Sequence, residues 1–234
     1  MIYQNIYPGT FHERLNRFVA RVTVEGVSQL VHVKNTGRCK ELLIPGTQVY
    51  LEKSDNPNRK TKYSLIAVHK GDLLINMDSQ VPNQVIYEAI LAGQLEAFQD
   101  LTLLKKEQTY GKSRFDLYYE SQTQKGYIEI KGVTLESQGI AAFPDAPTSR
   151  GAKHVSELAE AMNQGYKNYI IFLIQMEPVH LFVPNQTKDP AFVSALKAAH
   201  QAGVKILCLN SHITPTSIDV KGPIDFDLDQ IFSQ

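Results

Sequence analysis

A chain of 234 residues with 43% apolar content is the size of one or two ordinary packed domains. Its two cysteines, Cys39 and Cys208, are too few for a disulfide scaffold and too far apart for a metal motif, so a reducing, cytoplasmic setting is expected. Net charge is zero but unevenly spread: residues 1–80 carry 11 Lys+Arg against 7 Asp+Glu, about +4, and residues 81–234 carry 13 against 17, about −4, which suits an anion-attracting first half and an acidic second half.

The N-terminus shows no basic segment leading into a long apolar stretch, so no signal peptide is expected. The strongest apolar run, Tyr169 to Ile174, reads as a buried strand and is far too short to span a bilayer, so no membrane association is expected.

Short alternating segments follow at Phe18–Val24, Val27–Val33, Gln48–Lys53, Tyr63–His69 and Leu73–Asn76. Turn signals punctuate them at Thr36-Gly37, Pro45-Gly46, Asp55–Asn58 and Lys70-Gly71. This spacing predicts a small five-stranded OB-like β-barrel over residues 1–81. The basic loops Lys34–Lys40 and Arg59–Lys62 would bring Asn35, Arg38, Lys40, Arg59, Lys60 and Lys62 to a nucleic-acid strand.

The period changes near Val81-Pro82-Asn83. Residues 82–234 read as a mixed α/β domain. A helix is expected over 83–98, with Val85, Ile86, Ala89 and Ile90 on its apolar stripe, then strands at 101–109, 113–120 and 126–131. Helix 149–163 (stopped by Gly165), strands 168–175 and 179–183, helix 190–202 and strand 204–210 complete the order.

The chemistry is concentrated in the hairpin at 113–131. Alternation places Phe115, Leu117 and Tyr119 on one face, with Arg114, Asp116 and Tyr118 on the other; Glu129 and Lys131 likewise share a face. A turn centred between Gln122 and Thr123 sets Asp116 opposite Glu129 and Arg114 opposite Lys131. Like charges facing across a strand pair are destabilising, and a divalent cation between the carboxylates removes the conflict. Mg²⁺ (or Mn²⁺) suits such a site, since it takes one or two carboxylates, waters and phosphate oxygens. Lys131 would then stabilise the attacking hydroxide or growing phosphorane charge. Ordinary surface charge is the competing explanation, and for an isolated Glu-x-Lys it is the commoner one. Glu88, the only charge in Tyr87–Ala92, is a candidate third metal carboxylate or an edge residue reaching water. On helix 149–163, Ala152, Val155, Ala159 and Met162 form the stripe expected to face the core. Arg150, Lys153 and His154 lie on the other side, able to grip phosphates or simply to be solvated, and His154 could instead cap or pack.

Several stretches together resemble the sugar fermentation stimulation protein A family: Asn35-Thr36-Gly37-Arg38 with Leu42-Leu43 and Pro45-Gly46, Ser54-Asp55-Asn56-Pro57, Ser113-Arg114-Phe115-Asp116, Glu129-Ile130-Lys131 with Val133-Thr134-Leu135, Phe143-Pro144-Asp145-Ala146, and Arg150-Gly151 with Lys153-His154. The resemblance implies an OB-like domain followed by a restriction-endonuclease-like domain of the PD-(D/E)xK nuclease fold. It also implies DNA binding with little sequence preference and a link to regulation of sugar (maltose) metabolism. Carried over residue by residue, Asp116 and Glu129 become metal ligands and Lys131 the catalytic lysine. Val33-Lys34 departs from the Cys-Pro that often precedes this Asn in the family. The expected activity is therefore metal-dependent phosphodiester hydrolysis on DNA. A DNA-binding regulator that kept the nuclease fold, and a single-strand RNA-binding barrel, are the alternatives. The sequence leaves the oligomeric state open, a homodimer included.

Overall fold

The computed structural model describes residues 1–35 and 37–233. Of the expected turn at Thr36-Gly37, Thr36 lies outside the described residues.

The first half is built from β1 (Ile6–Arg14), β2 (Val19–Val24), β3 (Val27–Val33), β4 (Gln48–Lys53), β5 (Tyr63–Lys70) and β6 (Leu73–Asn76). Antiparallel pairs β1–β2, β2–β3, β1–β4 and β4–β5 form a curled sheet. A parallel contact, His32↔Ser64 and Val33↔Leu65, joins β3 to β5 and closes the five-stranded barrel. Period-2 alternation does the sorting: Ala20, Val22 and Val24 of β2 point into the barrel and are buried. Each fully buried valine contributes roughly 1.5–3 kcal/mol. β1 is absent from the sequence-based strand list because Pro8-Gly9 reads as a turn, yet it pairs on both sides.

The second half opens with α1 (Val81–Leu91), which starts on Pro82 in its first turn. The helix expected to reach residue 98 stops at Leu91: Gly93 has φ +68°, and the chain resumes only as a short 3-10 turn, Glu96–Phe98. Strands β7 (Leu101–Tyr110), β8 (Ser113–Ser121) and β9 (Lys125–Val133) form a meander, followed by β10 (Leu135–Ser137) and β11 (Ile140–Phe143). Then come α2 (Ser149–Met162), β12 (Tyr169–Ile174), β13 (Leu181–Pro184), α3 (Pro190–Gln201), β14 (Lys205–Thr214), β15 (Ser217–Pro223) and β16 (Asp225–Phe226). The main sheet runs β15-β14-β12-β9-β8-β7, and β12 pairs parallel to both β9 and β14. β10, β11, β13 and β16 make a smaller sheet.

Both faces of the main sheet are covered. On one, α1 packs Val85, Ile86 and Ala89 into a cluster with Leu117, Ile128 and Ile130. On the other, Val155 and Leu158 of α2 and Leu196 of α3 join Phe115, Tyr127 and Phe172 in a cluster continuous with the barrel interior. Phe115 thus leaves the face of Leu117 and Tyr119, where alternation had placed it, and packs against Tyr127 and His154. The break lies opposite Glu107 of β7, whose φ is +55°. The α2 stripe is also rotated from the expected one: Gly151, His154, Val155, Leu158 and Ala161 are buried, so His154 faces inward.

The halves are stitched by polar groups. The Asn76 N–H donates to the Gln175 carbonyl at 2.9 Å, and the Gln175 amide donates to Asn76 Oδ1 at 3.0 Å. Lys34 Nζ reaches Asp78 at 2.9 Å and Glu52 at 3.3 Å. Gly132 lets β9 abut this seam: a Cβ there would lie 2.2 Å from Gln175 Oε1 and 2.7 Å from Pro82 Cγ. Pro82 is followed directly by Asn83, so the seam delivers the start of α1 to β8 and β9.

Candidate metal centre and its cationic rim

The β8–β9 register is Leu117↔Ile128, Tyr118↔Tyr127, Tyr119↔Gly126 and Glu120↔Lys125; Asp116 and Glu129 are the next residues on the two strands, close enough for the charge of one to act on the other. The ladder ends there for a local reason. The Ile130 N–H donates to Asp116 Oδ2 at 2.7 Å, so a carboxylate takes a place a strand carbonyl would hold. Asn83, on the first turn of α1, donates to Asp116 Oδ1 at 2.8 Å.

Glu129 is 2% exposed. Its Oε1 accepts from Lys131 Nζ at 2.6 Å and lies 2.8 Å from His154 Nδ1. Arg150 Nε donates to His154 Nε2 at 3.4 Å, which makes Nε2 the acceptor and puts the proton on Nδ1, facing Glu129. Glu129 Oε2 is buried and has no hydrogen-bond partner among the described residues. Burial alone would raise the Glu129 pKa, but the hydrogen bond from His154 and the charge and hydrogen bond of Lys131 outweigh it and hold the carboxyl below its ordinary value. Burial, and then the Glu129 charge, push Asp116 above its ordinary value despite the Ile130, Lys131 and Asn83 contacts. Neighbouring carboxylates with pKa values driven apart are characteristic of functional sites.

Two hard oxygen donors with one oxygen buried and orphaned suit a divalent cation that completes its shell with water and phosphate. Asp116 and Glu129 therefore fit such an ion. Glu88 does not join them: its carboxylate accepts from the Gln84 amide at 2.6 Å and meets the Met1 ammonium at 2.9 Å. Among the described residues no group of three or more His, Cys, Asp or Glu gathers as a metal cluster.

Beside the acidic pair, an open cavity of about 510 Å³ is lined by Lys112, Ser113, Arg114, Ser149, Arg150, Lys153 and His154. It unites Arg114, Arg150, Lys153 and His154, which are far apart in sequence. A second cavity, of about 650 Å³, is lined by Arg14, Asn16, Arg17, Gly37, Arg38, Lys40, Leu43 and Ala146. Arg38 and Lys40 thus meet Arg14 and Arg17, which sequence reasoning passed over because β1 was not recognised. Arg14 is structural there, since its guanidinium donates to the carbonyls of Gly37, Arg38, Arg17 and Asn35. Asn35 accepts from the Gly37 N–H at 2.7 Å and shapes the same loop. Lys60 and Lys62 are exposed between β4 and β5, whereas Arg59 is half-buried and donates to Ser64 Oγ at 3.0 Å. Asn83 also escaped notice, for it looked like an ordinary residue of an amphipathic first turn.

The architecture and site define a class: a closed OB barrel leading into an α/β domain whose central hairpin carries a buried, lysine-paired acidic couple. Residues 13–77 match the family model described as the SfsA N-terminal OB domain, and residues 80–217 that of the sugar fermentation stimulation protein RE domain. The chain belongs to the sugar fermentation stimulation protein family. It is 52% identical over 232 residues to a sugar fermentation stimulation protein homolog of Alkaliphilus oremlandii, covering 97% of this chain and 99% of the relative. The homolog from Ruminiclostridium cellulolyticum is 51% identical over 228 residues, covering 97% and 100%. Among solved structures, Pyrococcus furiosus SfsA in complex with Ca²⁺ superposes with a TM-score of 0.89 at 28% identity, covering 97% of this chain and 98% of that one. No helix among the described residues is long and apolar enough to cross a membrane.

Proposed function

We propose that this chain binds DNA with little sequence preference and hydrolyses its phosphodiester bonds with a divalent cation, Mg²⁺ or Mn²⁺, held by Asp116 and Glu129. The observation that carries the reading is the orphaned Glu129 Oε2, buried next to Asp116 and on the same strand as Lys131. A buried carboxylate oxygen left without a hydrogen bond is costly even when the other oxygen is paired, and such a cost persists in a fold where a ligand removes it. The Ca²⁺ complex of the Pyrococcus furiosus relative supports a divalent site in this fold. A bound cation would polarise a phosphate oxygen and lower the pKa of a water on it.

The protein groups have separable tasks. The Ile130 N–H and Asn83 fix the Asp116 carboxylate, while His154 fixes Glu129. Lys131 shares Glu129 Oε1 with His154, and in this reading its ammonium stabilises the negative charge that grows as phosphorus is attacked. Arg38 and Lys40 on the barrel side, and Arg114, Arg150 and Lys153 on the α/β side, grip the phosphate backbone without reading bases. In this reading the second domain is of the PD-(D/E)xK kind, and its influence on sugar metabolism runs through DNA. Calorimetric titration with Mn²⁺ tests the ion site: wild type should bind it saturably and Asp116→Asn should not. Equal affinities would remove the site.

A further inference from the structure

We propose that the cavity at the start of α2 is a discrete phosphoryl-binding subsite, with the Ser113 hydroxyl as a hydrogen-bond donor to the bound anion. Ser113 is 3% exposed, it lines the cavity, and its Oγ is buried with no hydrogen-bond partner among the described residues. A buried hydroxyl left unpaired is unfavourable, and an acceptor entering the cavity relieves it.

Three further features specify an anion. α2 has 14 residues, and Thr148 caps it by accepting from the Gly151 N–H at 3.0 Å. The N–H groups of Ser149 and Arg150 have no acceptor within the helix, as at any helix start, and the positive end of the helix dipole lies on the cavity wall. Four cations, Lys112, Arg114, Arg150 and Lys153, line the same space, and no carboxylate does. The nearby acids hold these cations loosely, Arg114 to Glu107 at 3.5 Å and Lys153 to Glu157 at 3.6 Å, both pairs with exposed bases that a phosphate can recruit. Hydroxyl, helix-start amides and guanidinium together match the oxygens of a tetrahedral phosphoryl group.

The cavity also has a direction. His154 lines it and bonds Glu129 on its other side, so a phosphate seated there is one side chain away from the acidic pair. Ser113 lies three residues before Asp116 on β8. The geometry therefore points to a backbone phosphate next to the one being attacked, and this identification of the anion rests on the phosphodiester reading above. The anion subsite itself does not need that reading, nor a metal.

The experiment is isothermal titration with inorganic phosphate against a chloride control of equal ionic strength, in EDTA. Wild type should bind one phosphate per chain, Ser113→Ala should bind it about tenfold more weakly, and Ser113→Thr should recover most of the loss. Asp116→Asn should bind at least as tightly as wild type, since it removes a nearby negative charge. Should Ser113→Ala fail to fold, the exposed substitution Arg150→Gln must show the weakening instead. No saturable binding by wild type, or Ser113→Ala binding as tightly as wild type, overturns the subsite. Repeating the titration with an unphosphorylated oligonucleotide already bound separates the two readings. Competition supports a backbone phosphate in the cavity. Phosphate binding that needs Ser113 in a protein that binds no DNA keeps the subsite and removes the phosphodiester reading.

Discussion

His154 Nδ1 stands 2.8 Å from Glu129 Oε1, and this contact fixes α2 to the strand that carries the acidic pair. Both residues are buried, and Arg150 engages the other ring nitrogen. The imidazole thus occupies one oxygen of Glu129 and leaves the other unpaired. In the proposed site His154 is a positioning residue: it holds the carboxylate that would meet the metal ion.

Removing that support should weaken the ion more than the nucleic acid. His154→Ala should cut Mn²⁺ affinity by about 10–100-fold, the usual effect of losing a partner behind a metal ligand. His154→Asn, which keeps a donor, should recover part of it. DNA affinity measured in EDTA should change little, because many cations share the backbone. Unchanged Mn²⁺ affinity in His154→Ala would show that the contact serves folding alone.

Lys131 should separate binding from chemistry. Its ammonium is 2.6 Å from Glu129 Oε1, and in the proposed reaction it would meet the charge that develops during attack at phosphorus. Lys131→Met should still bind DNA, while single-turnover cleavage falls by about 10²–10³, the typical cost of losing one such electrostatic contact. Cleavage at the wild-type rate would remove Lys131 from the chemistry.

The barrel-to-helix seam makes a stability prediction. Lys34 pairs with the buried Asp78, and Ser79 Oγ donates to the Lys34 carbonyl at 2.6 Å. Burial would lower the Lys34 pKa, but Asp78 and Glu52 overcome it and raise it above 10.5. A base raised on folding stabilises fully below its unfolded pKa, so this contribution is intact at neutral pH and fades as pH climbs past 10.5 through the higher folded value. Lys34→Met strands a buried carboxylate and should cost about 3 kcal/mol at pH 7, the lower end for breaking a buried pair. Urea unfolding at pH 7 and above pH 10.5 measures both effects, and the gap between variant and wild type should narrow at the alkaline end.

The site was readable where local rules act alone. The β8–β9 turn is short and side-chain alternation is rigid, so the register of the hairpin up to Leu117↔Ile128 follows from counting residues, whereas the expected pairs Asp116–Glu129 and Arg114–Lys131 lie beyond the end of that ladder. His154 was misplaced because α2 packs against both the sheet and α3. Gly151 and His154 therefore fall on its buried stripe, although neither residue is apolar in the usual sense. Phe115 broke alternation because the strand changes face beside Asp116, a distortion tied to Glu107 on a neighbouring strand. Of the two readings open for Glu88, the structure takes the edge residue: its carboxylate is part-exposed and meets the ammonium of Met1, remote in sequence, which no local pattern announces. β1 was hidden by Pro8-Gly9, and with it went Arg14, which organises the basic loop after β3. These misses share a cause: long-range packing decides them, and no window of neighbouring residues records it.

The most direct measurement is strand cleavage, followed on single-stranded and double-stranded DNA with Mg²⁺, Mn²⁺ or EDTA, for wild type and Asp116→Asn. Asp116 accepts from the Ile130 N–H and from Asn83; the isosteric amide keeps the first bond and regains the second when the Asn83 amide turns over, so the variant removes the ion-binding charge at little cost in shape. The account predicts cleavage by wild type with either cation, none in EDTA, and none by Asp116→Asn despite wild-type DNA binding in EDTA. Wild type that binds DNA but cleaves no form with either cation would contradict it, and would leave a DNA-binding regulator built on this fold.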